Sequence, residues 1–209
     1  MKSWKIIFLG MMISGSLLLS GCVKLWTETV DIKTYMIETQ RTASAQPAPL
    51  ADKLWIDTVT VLPPSNVRNL LFRKNDVEFE TSYYSELLLS PSENFRNEFY
   101  MWFAASGIFR DVSLGDRRGM SHRLEVSVLK FYGDDSQEPG HAVLQIKVTL
   151  LEEKGRGAVV LFSKNYAQQV ALNDPSVEGL VRAYNQSLST ILSDCEADIV
   201  RALRQPASP

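Results

Sequence analysis

The 209-residue chain has only two histidines and two cysteines, and that scarcity removes whole classes of chemistry. A zinc centre draws three or four ligands from Cys, His and carboxylates at workable spacing, and His122 and His141 have no such company nearby in the sequence. A serine hydrolase of the elbow type needs Gly-x-Ser-x-Gly, which does not occur. His122 precedes an expected strand and His141 follows a Pro-Gly turn, so neither is set against an oriented nucleophile. No catalytic, cofactor or metal residue is therefore assigned. Nor is there a basic surplus of the kind nucleic acid requires: 22 Lys and Arg stand against 24 Asp and Glu, a formal net charge of −2. The uncharged run from Ile6 to Leu19 falls short of the roughly 20 residues that a membrane-spanning helix needs.

What is present begins at the N-terminus. Lys2 and Lys5 precede that apolar run, which closes on Leu18-Leu19-Ser20-Gly21-Cys22. Small residues directly before a cysteine give a peptidase an unbulky approach and leave Cys22 as the first residue of the mature chain. An ordinary secretory signal needs no cysteine at its cut. Resemblance to bacterial lipoproteins implies diacylglycerol on the Cys22 sulfur and a further, palmitate-type acyl chain on the new amine. Two or more acyl chains anchor a protein stably, where one holds it only reversibly. Val23-Lys24 follow, in place of the aspartate that commonly signals inner-membrane retention in enteric bacteria, and this favours the periplasmic face of the outer membrane. Acylation also leaves Cys195 without a disulfide partner, so packing alone must stabilise the fold.

Loss of residues 1–21 from the 209 leaves 188, enough for one domain with a proper core, and loss of Lys2 and Lys5 moves the charge by two, from −2 to −4. We read 22–32 as a tether, 33–204 as the folded domain and 205–209 as a frayed tail. Lys33 to Thr39 alternates as a first strand, Thr42 to Ala51 is a small, proline-bearing loop, and Leu54 to Leu62 is a β-branched strand ended by Pro63-Pro64. Asn69 to Lys74 and Val77 to Tyr84 form a hairpin about Asn75-Asp76, with one face expected to be wet.

Ser90-Pro91-Ser92-Glu93 has the form of a capping box, and the helix it opens carries Phe95, Phe99, Trp102 and Phe103 as an aromatic core stripe ended by Gly107. Ile108 to Leu114 enters a further strand. Leu124 to Phe131, Ala142 to Leu151 and Ala158 to Val170 form a meander with turns at Gly133-Asp134-Asp135 and Lys154-Gly155-Arg156-Gly157. Gly155-Arg156-Gly157 lacks the strand-to-helix context of a phosphate loop. Asp134, Asp135 and Glu138 lack the alternation of a calcium loop and read as a solvated acidic turn. Asp174-Pro175 starts a long helix running to about Leu203, its apolar stripe including Cys195. The expected fold class is α+β: a single domain with a mixed, mostly antiparallel sheet and two main helices on one face.

This chain, with its lipobox, Tyr35-Met36-Ile37, Leu54-Trp55-Ile56-Asp57-Thr58-Val59-Thr60-Val61-Leu62-Pro63, hairpin ending in Tyr83-Tyr84 and long C-terminal helix, resembles the ABC-type transport auxiliary lipoproteins, the PqiC-like family. Many members carry a tryptophan soon after that tyrosine pair, where this chain has Ser85-Glu86-Leu87. The resemblance implies a membrane-attached periplasmic lipoprotein that works with an MCE-domain protein and ABC-type or related permease components in intermembrane lipid transport. It also implies self-association into rings, and it carries over no catalytic residue. An outer-membrane assembly factor of the lipopolysaccharide-insertion type and a lipid-anchored hydrolase stand as alternatives. Within the domain, Phe72, Arg73, Val77 and Phe79 on the hairpin are the candidate partner contact, against a reading in which the apolar side of the hairpin joins the core.

Overall fold

Alternate residues from Leu124 to Val128 are apolar, and they belong to the strand that organises the molecule. The computed structural model describes residues 31–155 and 157–205; the signal segment, Cys22, most of the tether and residues 206–209 lie outside the described residues. In chain order the elements are β1 (Lys33–Tyr35), β2 (Ala51–Ile56), β3 (Thr60–Val61), β4 (Asn69–Arg73), β5 (Phe79–Leu87), α1 (Pro91–Ser106), β6 (Phe109–Ser113), β7 (His122–Asp134), β8 (His141–Lys154), β9 (Gly157–Ala171) and α2 (Val177–Arg204). One edge of β7 pairs antiparallel with β8, which pairs antiparallel with β9. The other edge is served in succession by three short parallel strands: β2 against His122–Leu124, β3 against Ser127–Val128 and β4 against Gly133–Asp134. The sheet is mixed, with its long ladders antiparallel, as the sequence predicts.

Both helices cover one face. The stripe Phe95, Phe99, Trp102 and Phe103 of α1 and the stripe Leu180, Tyr184, Leu188, Ile191, Leu192, Cys195 and Ile199 of α2 are buried with Ala142, Leu144, Ile146, Val148 and Leu150 of β8 in one cluster. Phe131 lies edge-on to Phe95 at 5.3 Å and 4.5 Å from the Tyr184 ring. With 28 residues, α2 is about 42 Å long. Gly133 is required where β7 passes beneath α2, because a Cβ there would meet Phe72 at 2.9 Å and Leu180 at 3.1 Å.

The capping box is present at Ser90, whose hydroxyl oxygen accepts from the Glu93 amide while the Glu93 carboxylate reaches back, and Gly107 ends α1 with φ of 69°. At α2 the sequence reading needs correction. The N-cap is Ser176 rather than Asp174; Asp174 accepts from the Ser176 amide and hydroxyl, and Ser176 in turn accepts from the Gly179 amide. The expected strand Leu54–Leu62 is two strands. Arg96 of α1 donates to the carbonyls of Ile56 and Asp57, and Ser92 to that of Val59, so these groups bond the helix and the ladder is interrupted. Gly133 and Asp134, expected in a turn, still belong to β7.

The expected first strand Lys33–Thr39 stops at Tyr35 because the next residues leave the sheet and bond both helices. The Ile37 amide donates to Asn94 Oδ1 at 3.0 Å, and Asn94 Nδ2 donates to the Ile37 carbonyl at 2.8 Å. The Glu38 amide donates to Asn185, the Thr39 amide to Glu98 and the Gln40 amide to Ser189. Odd amides thus bond α1 and even amides bond α2. The strap closes on Glu196, which accepts from Arg41 at 2.8 and 3.0 Å and from Trp102 Nε1 at 2.7 Å. Backbone groups that would otherwise be orphaned over a helix layer are satisfied by side chains.

Truncating Asn94, which is 1% exposed, removes both partners of Ile37 at a buried site. Asn94→Ala is expected to cost about 2–4 kcal/mol in urea denaturation, and Asn185→Ala, whose partner amide is exposed, less than about 1 kcal/mol. Equal losses for the two would contradict this account of the strap.

Candidate interaction surface

The described residues hold no group of three or more His, Cys, Asp or Glu suited to a metal. His122 is buried and its ring edge meets Phe109 at 5.7 Å; burial lowers its pKa, and Glu152 and Asp52 oppose that. Its Nδ1 lies 2.9 Å from Ser121 Oγ, but that hydroxyl donates to the Lys53 carbonyl at 2.9 Å and accepts from the Lys53 amide at 2.8 Å. The serine is thus committed to fixing β2 against the start of β7. Cys195 is fully buried, and burial pushes its thiol up to about 12. His141 begins β8, opposite Asp134 and Ala171.

Four of the exposed large apolar residues, including the two most exposed, lie on the β4–β5 hairpin. Asn75 makes its turn, with Oδ1 accepting from the Val77 and Glu78 amides at 3.1 and 3.0 Å. Val77 is 90% exposed, Tyr83 84%, Tyr84 62% and Phe79 41%. Of the four hairpin residues singled out in the sequence, Phe72 is half-buried against the core, Arg73 is engaged at the base, and Val77 and Phe79 face solvent. The reading in which the apolar side joins the core therefore holds for Phe72 alone, and the expectation of a single wet face fails, because Phe79, Glu80, Thr81, Tyr83 and Tyr84 of β5 are all exposed. Tyr83, Tyr84 and Ile32 are also exposed; the sequence placed the tyrosine pair at the end of the hairpin and Ile32 at the end of the tether without marking either as open to solvent. Among the described residues β1 pairs only with Ser85–Leu87, leaving the outer edge of β5 from Phe79 to Tyr84 without a strand partner.

Two consecutive ion pairs fix the base. Arg73 donates to Asp134, and Lys74 Nζ to Asp135 at 2.7 Å, so the acidic residues expected in a solvated turn tie β4 to β7. Asp134 is only 5% exposed. Phe79 meets the Tyr132 ring edge-on at 5.4 Å, and the Arg73 guanidinium lies 5.7 Å from the same ring. The base of the hairpin is thus tied to the central strand by ion pairs and ring contacts.

Neither a family model nor a curated protein matches the chain. Solved structures do share its fold. A Xanthomonas campestris protein of the family model DUF330 superposes with a TM-score of 0.69 at 14% identity, over 81% of this chain and 96% of that one. An uncharacterized protein superposes with a TM-score of 0.62 at 12% identity, covering 81% and 99%. A hypothetical protein from Chlamydia trachomatis does so with a TM-score of 0.53 at 7% identity, covering 74% and 98%. The strap, the split edge of β7 and the two-helix layer therefore sit on an architecture that recurs in sequences with little identity to this one.

The base of the hairpin should be acid-sensitive. Burial pushes the Asp134 carboxyl up, but hydrogen bonds from Arg73 and Ser136 outweigh it and hold the group at about 2, below its ordinary 3.8. A depressed carboxylate contributes stability above its unfolded value, and that contribution is lost as pH falls from about 4 through about 2. Asp134→Asn should therefore cost about 2 kcal/mol at neutral pH, and the gap to the unmodified protein should close across that acid range in pH-dependent denaturation. A gap that stays constant would remove Asp134 from this role.

Proposed function

We propose that this chain is a periplasmic lipoprotein, acylated at Cys22 and held at the outer membrane, that serves as a non-catalytic docking subunit of an MCE and ABC-type intermembrane lipid transport system. The observation that carries the reading is the order Leu18-Leu19-Ser20-Gly21-Cys22, an anchor signal ten residues before a folded domain that begins at Lys33. Three further features support it. The described residues contain no helix long and apolar enough to cross a membrane, consistent with attachment through lipid. Ser121 beside His122 is occupied with backbone, and Cys195 is sealed in the core, so the groups best suited to nucleophilic chemistry have structural duties. The chain carries, in order, the motifs on which its resemblance to the auxiliary lipoproteins rests. From that resemblance come the partners, an MCE-domain protein and permease components, and assembly of the subunit into a ring.

Cys22→Ser should shift the protein from the membrane fraction to the soluble periplasmic fraction, and mass spectrometry of the native chain should find Cys22 carrying diacylglycerol and an acylated amine. Affinity capture of the acylated protein from detergent-solubilised membranes should recover an MCE-domain partner. An unmodified thiol at Cys22 in the native chain would overturn the anchored reading, and acylated protein that captures no such partner would overturn the transport role.

A further inference from the structure

The proposed anchor holds a bilayer close to the domain, and the projecting hairpin is the part of the domain suited to touch one. β1 runs parallel to β5, with Lys33 opposite Ser85 and Tyr35 opposite Leu87. The chain therefore enters β1 from the side of the N-terminal end of β5, which is the side of the hairpin turn. The ten residues 23–32 span at most about 35 Å. Asn69 and Arg73 of β4 stand opposite Glu86 and Phe79 of β5, so the paired part of the hairpin spans about 13 Å, with the turn through Val77 beyond it. The chain between Cys22 and β1 is thus short enough to keep the domain near the anchored surface and long enough for the hairpin turn to meet that surface.

The chemistry of the tip suits a lipid interface. Val77 and Phe79 are apolar, and Tyr83 and Tyr84 pair an apolar ring with a hydroxyl that bonds water or headgroups, the amphipathic character that enriches tyrosine at bilayer interfaces. The charge around them selects the kind of lipid. Arg73 is taken by Asp134, and Lys74 is shared between Asp135 and Glu80, so two cations stand against Asp76, Glu78, Glu80, Asp134 and Asp135, a negative excess that an anionic surface repels. A strand from a protein partner could pair with the open edge of β5, but it would leave Val77, the most exposed of the set, uncovered in the turn. A headgroup interface can take in both the exposed turn and the exposed tyrosines of the bulge opposite Leu70, side chains that no single paired strand would cover.

We propose that the β4–β5 hairpin, through Val77 and Phe79 at its turn and Tyr83 and Tyr84 on its outer strand, rests in the zwitterionic headgroup interface of the membrane that holds the lipid anchor. This rests on the acylation of Cys22 proposed above. The contact gives the domain a second attachment point, so that the anchor fixes its distance from the bilayer and the hairpin fixes its orientation.

The test uses the full acylated chain carrying a single environment-sensitive fluorophore on Val77→Cys or, as the comparison site, on Met101→Cys of α1, which is 61% exposed. Acylation consumes the Cys22 thiol and Cys195 is buried, so each variant takes one label. Protein is reconstituted through its anchor into phosphatidylcholine vesicles containing a spin-labelled quencher lipid, and co-flotation is scored first. The expected result is co-flotation with several-fold stronger quenching at Val77→Cys than at Met101→Cys, and no gain when phosphatidylglycerol replaces part of the phosphatidylcholine. Co-floating protein quenched equally at both sites overturns the lipid contact and leaves the hairpin to a protein partner. Quenching that appears only with phosphatidylglycerol overturns the zwitterionic assignment. Protein that does not co-float overturns the anchored reading, and this proposal with it.

Discussion

The architecture depends on β7 being paired along both edges. Thirteen residues long, it is zipped to β8 on one side and shared among three short strands on the other. Each short strand is too brief to persist alone, and an isolated pair of strands is marginal in water. Their stability comes from adding to a strand whose other edge is already paired and whose core face is already under two helices. Arg96 shows how closely the parts are coupled: one guanidinium on α1 bonds the carbonyls of Ile56, Asp57 and Leu114, tying the end of β2 to the chain just beyond β6.

Where the chemistry is periodic, the fold was legible in the sequence. The alternation of Ala142 to Leu150 identified the buried face of β8, the three-and-four spacing of α2 identified its buried stripe, and Ser90 with Glu93 placed the start of α1 correctly. These signals are local, and tertiary packing reinforces them. The misreadings fall where side chains take over bonds that a ladder would otherwise make. Nothing within Lys33 to Thr39 announces that Asn94 and Glu98 will receive its amides from α1 and Asn185 and Ser189 from α2, so an alternating segment looked like a longer strand. Val59 and Asp57 were hidden for the same reason, their carbonyls being claimed from a helix that begins some thirty residues later.

The candidate surface was half legible. The hairpin and its turn residues were visible, as was the neighbourhood of Phe72, Arg73, Val77 and Phe79. Exposure was not, because alternation in a strand tells which residues share a face but not whether a second layer covers that face. Asp134 and Asp135 illustrate the point from the other side. Their composition suggested solvent, yet Arg73 and Lys74 reach them from β4, a pairing fixed by the register of two strands about sixty residues apart.

The strap has a consequence for how this sequence tolerates change. From Ile37 to Gln40 every amide is held by a helix side chain; Ile37 is also buried in the core and the Thr39 hydroxyl also donates to Glu98, so Glu38 and Gln40 are the positions free to be exchanged for other residues that keep an amide proton, proline being the exception. The strictness moves to the recognising side chains, Asn94 and Glu98 on one helix and Asn185 and Ser189 on the other, each one turn apart from its mate.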